Sequence, residues 1–154
     1  MSMRGNREPR EDGTKRTGKQ TAGLVKRFIR YYRPHRKLFC MDMGASIDEL
    51  TDTGCVCSLV LNDNHKNAVG GVMGGAIFTL ADLAFSAAAN NLHFPTVALQ
   101  SSINFLSGAK GDTLTAKAVC KKDGGTTSIF NVDITDNAGR DIAQVVFTGF
   151  KLRR

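Results

Sequence analysis

No uninterrupted apolar run in this sequence reaches the roughly 20 residues a bilayer-spanning helix needs, so a helical membrane span is excluded. The basic N-terminus is not followed by an apolar stretch; no secretory signal is expected, and a cytoplasmic location is the default expectation. Four cysteines (Cys40, Cys55, Cys57, Cys120) without an export signal argue against a disulfide framework. The three histidines (His35, His65, His93) do not stand at ligand spacing, so no metal site is expected. No aromatic residue precedes Phe28, which leaves the basic end without a platform for stacking bases. There is no internal repeat.

What is present suits one domain. The chain has 154 residues and 42% hydrophobic content, enough for a single core. The net charge of +7 sits at one end: residues 1–37 carry twelve Lys or Arg against three Asp or Glu, and the remainder nine against eleven. Residues 1–20 have almost nothing to bury and read as a disordered basic tail, solvated rather than bound to nucleic acid or a membrane. Residues 21–154 read as the domain. Leu24, Val25, Phe28, Ile29 and Tyr32 follow helical spacing, predicting an amphipathic helix over about 21–33 that Pro34 ends.

Strands are expected at Ala45–Leu50 and Gly54–Asn62. A glycine-rich turn follows, then a long helix over about 75–92. Four more strands are expected near Thr96–Leu106, Thr113–Lys122, Thr126–Asp136 and Asp141–Leu152, separated by turn residues. Tight turns make antiparallel pairs. The helix is apolar almost all round, so it belongs in the interior, and the fold class is α+β.

The chemistry concentrates at His65–Leu92. The glycine turn puts backbone N–H groups at a helix N-terminus, where an anion or oxyanion is stabilised. Asp82 interrupts the apolar helix on the face of Phe78 and Phe85. An unpaired carboxylate is costly to bury, so Asp82 either pairs with a neighbour or lines a cleft and serves as a base or nucleophile. Gly74 and Asp82 are eight residues apart, about 12 Å along a helix. One chain's Asp82 therefore does not reach a carbonyl held at its own Gly74, and a catalytic motif implies a twofold dimer with shared sites.

The run His65-x-Asn67-x-x-Gly70-x-x-Met73-Gly74-Gly75, followed by Leu80-Ala81-Asp82, resembles the motif of the hotdog-fold acyl-CoA thioesterases of the phenylacetic-acid-degradation (PaaI-like) type. Ser102–Leu106 and Gly111–Ala116 extend the similarity over roughly residues 38–152. The resemblance implies a curved antiparallel sheet wrapped around one central helix, a homodimer or dimer of dimers, and no cofactor beyond the coenzyme A of the substrate. It implies hydrolysis of an acyl-CoA or acyl-carrier thioester, with the Gly74 N–H polarising the carbonyl. Asn67 would help hold that carbonyl or the attacking water, and Asp82 of the other subunit would be base or nucleophile. His65, Met73 and Gly75 are the flanking substrate-binding candidates; Phe78 and Phe85 either line an acyl pocket or belong to the core. Two departures stand out. Met73 occupies the usual histidine position, which motivates the alternative of an acyl-CoA binding protein without turnover. Ser107-Gly108-Ala109 replaces a common Arg-Pro.

Overall fold

The computed structural model describes residues 38–153. The expected tail 1–20 and helix 21–33 lie outside the described residues. A single-turn helix α1 (Phe39–Asp42) leads into β1 (Ala45–Leu50) and β2 (Gly54–Val60). A 3-10 turn (Asp63–His65) and the glycine loop then precede the long helix α2 (Gly74–Leu92). Four strands complete the chain: β3 (Thr96–Phe105), β4 (Thr113–Asp123), β5 (Thr127–Asp136) and β6 (Asp141–Lys151). Sequence reading misses α1, which is too short to show a period. Gly44, at φ +91°, turns the chain out of it into β1.

The six strands form one sheet in the order β1-β2-β4-β5-β6-β3, every pairing antiparallel. Register shifts at Ile47/Glu49, Ala98/Gln100, Cys120/Lys122 and Ile134/Thr135 are of the kind that bends a sheet and sharpens its twist. Helix α2 packs on one face of this sheet, with contacts to all six strands. The result is the expected hotdog arrangement, one long helix held by an antiparallel sheet.

Alternation along the strands sends Cys55, Cys57, Leu59, Leu114, Ala116, Phe130, Val132, Val145 and Phe147 against the helix. The helix answers with Ile77, Leu80, Ala81, Ala84, Phe85 and Ala88. Phe85 stacks on Phe147 with ring centroids 4.5 Å apart and meets Phe130 edge-on at 5.5 Å. A side chain at Gly149 would come within 3.3 Å of the Phe85 ring, so the glycine gives that ring its seat. Phe85 is therefore core rather than pocket lining, which corrects one expectation.

A second correction concerns the helix as a whole. It is not buried all round: Gly75 is exposed, and Phe78, Thr79, Asp82, Ser86 and Asn90 are only partly covered. These residues follow i, i+3, i+4, i+7, i+11 and i+15 spacing, so they form one continuous stripe that the sheet leaves open. Asp82 sits in the middle of that stripe.

The strand β3 closes one side of the sheet. Its outer edge has no partner strand among the described residues. Val97, Leu99 and Phe105 are exposed along it, with Leu106 just beyond. Among the described residues, no helix is long and apolar enough to cross a membrane.

Candidate active site

The glycine loop is built on His65. Its ring is buried, and both nitrogens are engaged. Nδ1 accepts the Asn62 N–H at 3.0 Å, which leaves the proton on Nε2 to donate to the Met43 carbonyl at 2.8 Å. The His65 carbonyl in turn accepts the Met73 N–H at 2.8 Å, and Lys66 bridges to Val72. His65 thus ties α1, the loop and the start of α2 together through backbone groups.

Asn67 shapes the turn between those two strands of loop. Its Oδ1 accepts the N–H groups of Val69 at 3.1 Å and Gly71 at 3.0 Å. Gly70, at φ +83°, supplies the reversal that lets the Gly70 N–H return to the Asn67 carbonyl at 3.0 Å. Because Oδ1 is held by two donors, the orientation of the amide is fixed. The Nδ2 end is left over, exposed and without an acceptor among the described residues.

Met73 is the N-cap of α2, with the extended backbone (φ −64°, ψ 131°) that position requires. It carries no side-chain oxygen and makes no cap bond. The Ala76 and Ile77 N–H groups turn to the Met73 carbonyl at 3.0 and 3.3 Å. The N–H groups of Gly74 and Gly75 have no acceptor among the described residues. Two bare amides at the positive end of a 19-residue helix form a donor site for developing negative charge. A Cβ on Gly74 would stand 2.9 Å from the Phe105 ring, so glycine is needed for that ring to lie over the turn.

Cavities open on both sides of these amides. One, of about 410 Å3, is lined by Gly74, Ile77, Phe105, Leu106, Ser107 and Ala109. The other, of about 390 Å3, is lined by Phe39, Met43, Met73, Gly75, Ala76 and Thr79. Thr79 does not contribute a free donor there, since its hydroxyl donates to the Gly75 carbonyl at 2.8 Å. Phe78 is partly covered by Phe147, centroids 5.7 Å apart, and so borders the open stripe rather than either cavity.

Asp82 is three residues beyond Thr79 on the same stripe. Burial pushes its carboxyl above the usual carboxylate range. Among the described residues no hydrogen bond or ion pair compensates it. Of the two alternatives the sequence left open, the structural ion pair finds no partner among the described residues, and Asp82 stands on the stripe of α2 that the sheet leaves open. Its field also reaches the thiol of Cys40 on α1, whose pKa is raised chiefly by burial and in small part by Asp82. Gly74, Gly75 and Asn67 meet at the loop, whereas Asp82 of the same chain lies two turns along the helix from them.

Known proteins resemble this chain in sequence and fold. Residues 69–143 match the model of the thioesterase superfamily. A putative esterase of Archaeoglobus fulgidus is 30% identical over 130 residues, 84% of each chain. The acyl-coenzyme A thioesterase PaaI of Escherichia coli is 30% identical over 102 residues, 66% of this chain and 73% of the relative. Among solved structures, a hypothetical thioesterase of Streptococcus pneumoniae determined with coenzyme A superposes with a TM-score of 0.68 at 34% identity, over 71% of this chain and 87% of that one. Sequence and overall fold agree, and the chain belongs to the thioesterase superfamily, among its PaaI-like hotdog members.

Proposed function

We propose that this protein hydrolyses acyl-CoA thioesters at a site shared between two copies of the chain. The observation that carries the reading is the pairing of an uncapped helix start with an uncompensated carboxylate. Both features cost folding stability, and both are what thioester hydrolysis requires.

In the reaction, the thioester carbonyl oxygen lies between the Gly74 N–H and the leftover Nδ2 of Asn67. These donors strengthen as the oxygen gains charge, which lowers the barrier rather than merely binding substrate. Asp82 of the partner subunit takes a proton from water as its oxygen attacks the carbonyl carbon. The C–O bond forms, the tetrahedral oxyanion collapses, and the C–S bond breaks. The thiolate leaves and takes the proton that Asp82 removed from water, which releases free acid and coenzyme A and restores the carboxylate. A raised carboxylate pKa makes Asp82 a better base. Direct attack by the carboxylate on the same carbon is the covalent variant of this scheme.

The dimer follows from reach. Two turns of helix separate Gly74 from Asp82, about 12 Å, and a twofold axis perpendicular to α2, which sets the two helices antiparallel, brings each Asp82 to the other's Gly74. The unpaired β3 edge, with Leu99 63% exposed, is the natural seam, because apolar edge strands are seldom left open to water.

The test is a panel of aryl and medium-chain acyl-CoAs mixed with the purified protein while free thiol is followed. Asp82→Ala is expected to abolish release. Full activity in that variant overturns the mechanism, and tight acyl-CoA binding without turnover by the native protein favours a pure binding role.

A further inference from the structure

The loop between β3 and β4, residues 106–112, has no regular structure, yet Leu106, Ser107, Gly108 and Ala109 form the wall of the cavity beside Gly74. Such a wall is only as well placed as whatever fastens it. Its first half hangs on β6: the Leu106 N–H donates to the Ile142 carbonyl at 2.8 Å, and the Ser107 hydroxyl to the Asp141 carbonyl at 2.5 Å.

Its second half is fastened by two side chains of the β5–β6 turn. Asp136 Oδ2 accepts the N–H groups of Lys110 at 2.9 Å and Gly111 at 3.0 Å. Its Oδ1 accepts those of Ala138 at 3.0 Å and Arg140 at 2.8 Å. One carboxylate, only 5% exposed, thus holds four backbone donors, two from its own turn and two from the cavity loop. These donors, Gly111 first, hold its carboxyl down at about 2, so it is fully charged in ordinary conditions. Asn137 adds a second fastening, accepting from Asp112 and Thr113 and donating to the Asp112 carboxylate at 2.7 Å. A Cβ on Gly111 would fall 1.9 Å from the Asn137 oxygen, so the two segments are in intimate contact.

We propose that Asp136 is a positioning residue for substrate binding: by clamping Lys110 and Gly111 it sets the cavity wall formed by residues 106–109. It touches no reacting atom, so its influence falls on how tightly the thioester is seated against Gly74, not on the step at the carbonyl. This rests on the thioesterase reading for its kinetic signature, though the clamp itself is read from geometry alone.

Asp136→Asn in the full chain is the first test. The amide keeps the size and one oxygen but turns an NH2 group toward two donors. KM for acyl-CoA is expected to rise about tenfold with kcat within about twofold, because the perturbation is to seating and not to the oxyanion site. Amide hydrogen exchange at Lys110 and Gly111 is expected to quicken, while exchange in α2 stays unchanged. Unchanged KM with unchanged exchange at Lys110 and Gly111 overturns the proposal, and so does a fall in kcat at constant KM. If Asp136→Asn does not fold, Asp136→Glu displaces the same carboxylate by one methylene; a raised KM with faster exchange at Lys110 and Gly111 supports the clamp, and the absence of both changes refutes it. A native protein that turns over no acyl-CoA defeats the thioesterase reading, while the exchange measurement still decides the clamp.

Discussion

A site divided between two chains makes a quantitative demand. Asp82→Ala removes the base, expected to cost 10²–10⁴-fold in rate, on the order of 3–5 kcal/mol of barrier. Asn67→Asp keeps the oxygen that holds Val69 and Gly71 and so preserves the loop, but replaces the Nδ2 donor with a second oxygen. Its expected loss is about 10²–10³-fold, as for an oxyanion donor. Each homodimer is then nearly dead. Mixed and allowed to exchange subunits, the two variants form hybrids in half of the dimers. One site of each hybrid combines Asn67 and Gly74 of the Asp82→Ala chain with Asp82 of the Asn67→Asp chain, and that site is intact. Half the sites in half the dimers gives about 25% of native activity. The assay is free-thiol release before and after subunit exchange, with hybrid formation confirmed by differently tagged chains. If hybrids form and activity stays at the level of the parents, the base and the donors come from the same chain. The 12 Å argument from helix rise is then wrong.

Three further outcomes follow from the same features. Because burial raises the Asp82 pKa, kcat/KM is expected to climb through an acid limb above the ordinary carboxylate range, and Asp82→Asn is expected to remove the limb; a limb at or below about pH 4 contradicts the assignment. The same shift has a stability sign. A folded pKa above the unfolded one penalises the charged carboxylate at pH values above the folded pKa, less so through the interval between the two, and not at all below the unfolded value. Asp82→Asn is thus expected to raise Tm by about 2–5 °C at neutral pH, a gain that fades on acidification; calorimetry across pH checks it. Leu99→Arg on the exposed β3 edge is expected to yield a folded monomer by sedimentation, with activity reduced by about 100-fold or more because neither site is complete.

Much of the fold is visible in the sequence because its strands are punctuated by turn chemistry. Ser107–Gly111, Asp123–Gly125 and Asp136–Gly139 each mark a strand boundary to within a residue or two. The single-turn α1 leaves no periodic trace. Phe85 is undecidable from sequence, since an aromatic on a helix face reads the same whether it meets a ring or a ligand; its stacking on Phe147 decides it. Asp82 is legible as an anomaly but not as an unpartnered one, because that depends on which stripe of α2 the sheet leaves uncovered. Asp136 reads as any turn aspartate, and its four backbone donors come from two separate stretches of chain.

The methionine at position 73 follows the same logic. An N-cap is where Ser, Thr, Asp or Asn adds stability, about 1 kcal/mol, by accepting an N–H of the first turn. Met73 has the cap backbone but forgoes the cap bond, which leaves the Gly75 amide bare beside that of Gly74. The donor for the oxyanion is main chain, so the side chain at 73 is free to vary provided it does not occupy those amides. Met73→Asp tests the point, because it moves two quantities in opposite directions. The carboxylate caps the helix and complements its dipole, so Tm is expected to rise by about 2–4 °C. It also claims the Gly75 N–H and sets a negative charge where the oxyanion must form, so kcat is expected to fall about 100-fold. A stabilised protein with undiminished turnover means that the open start of α2 does not stabilise the oxyanion.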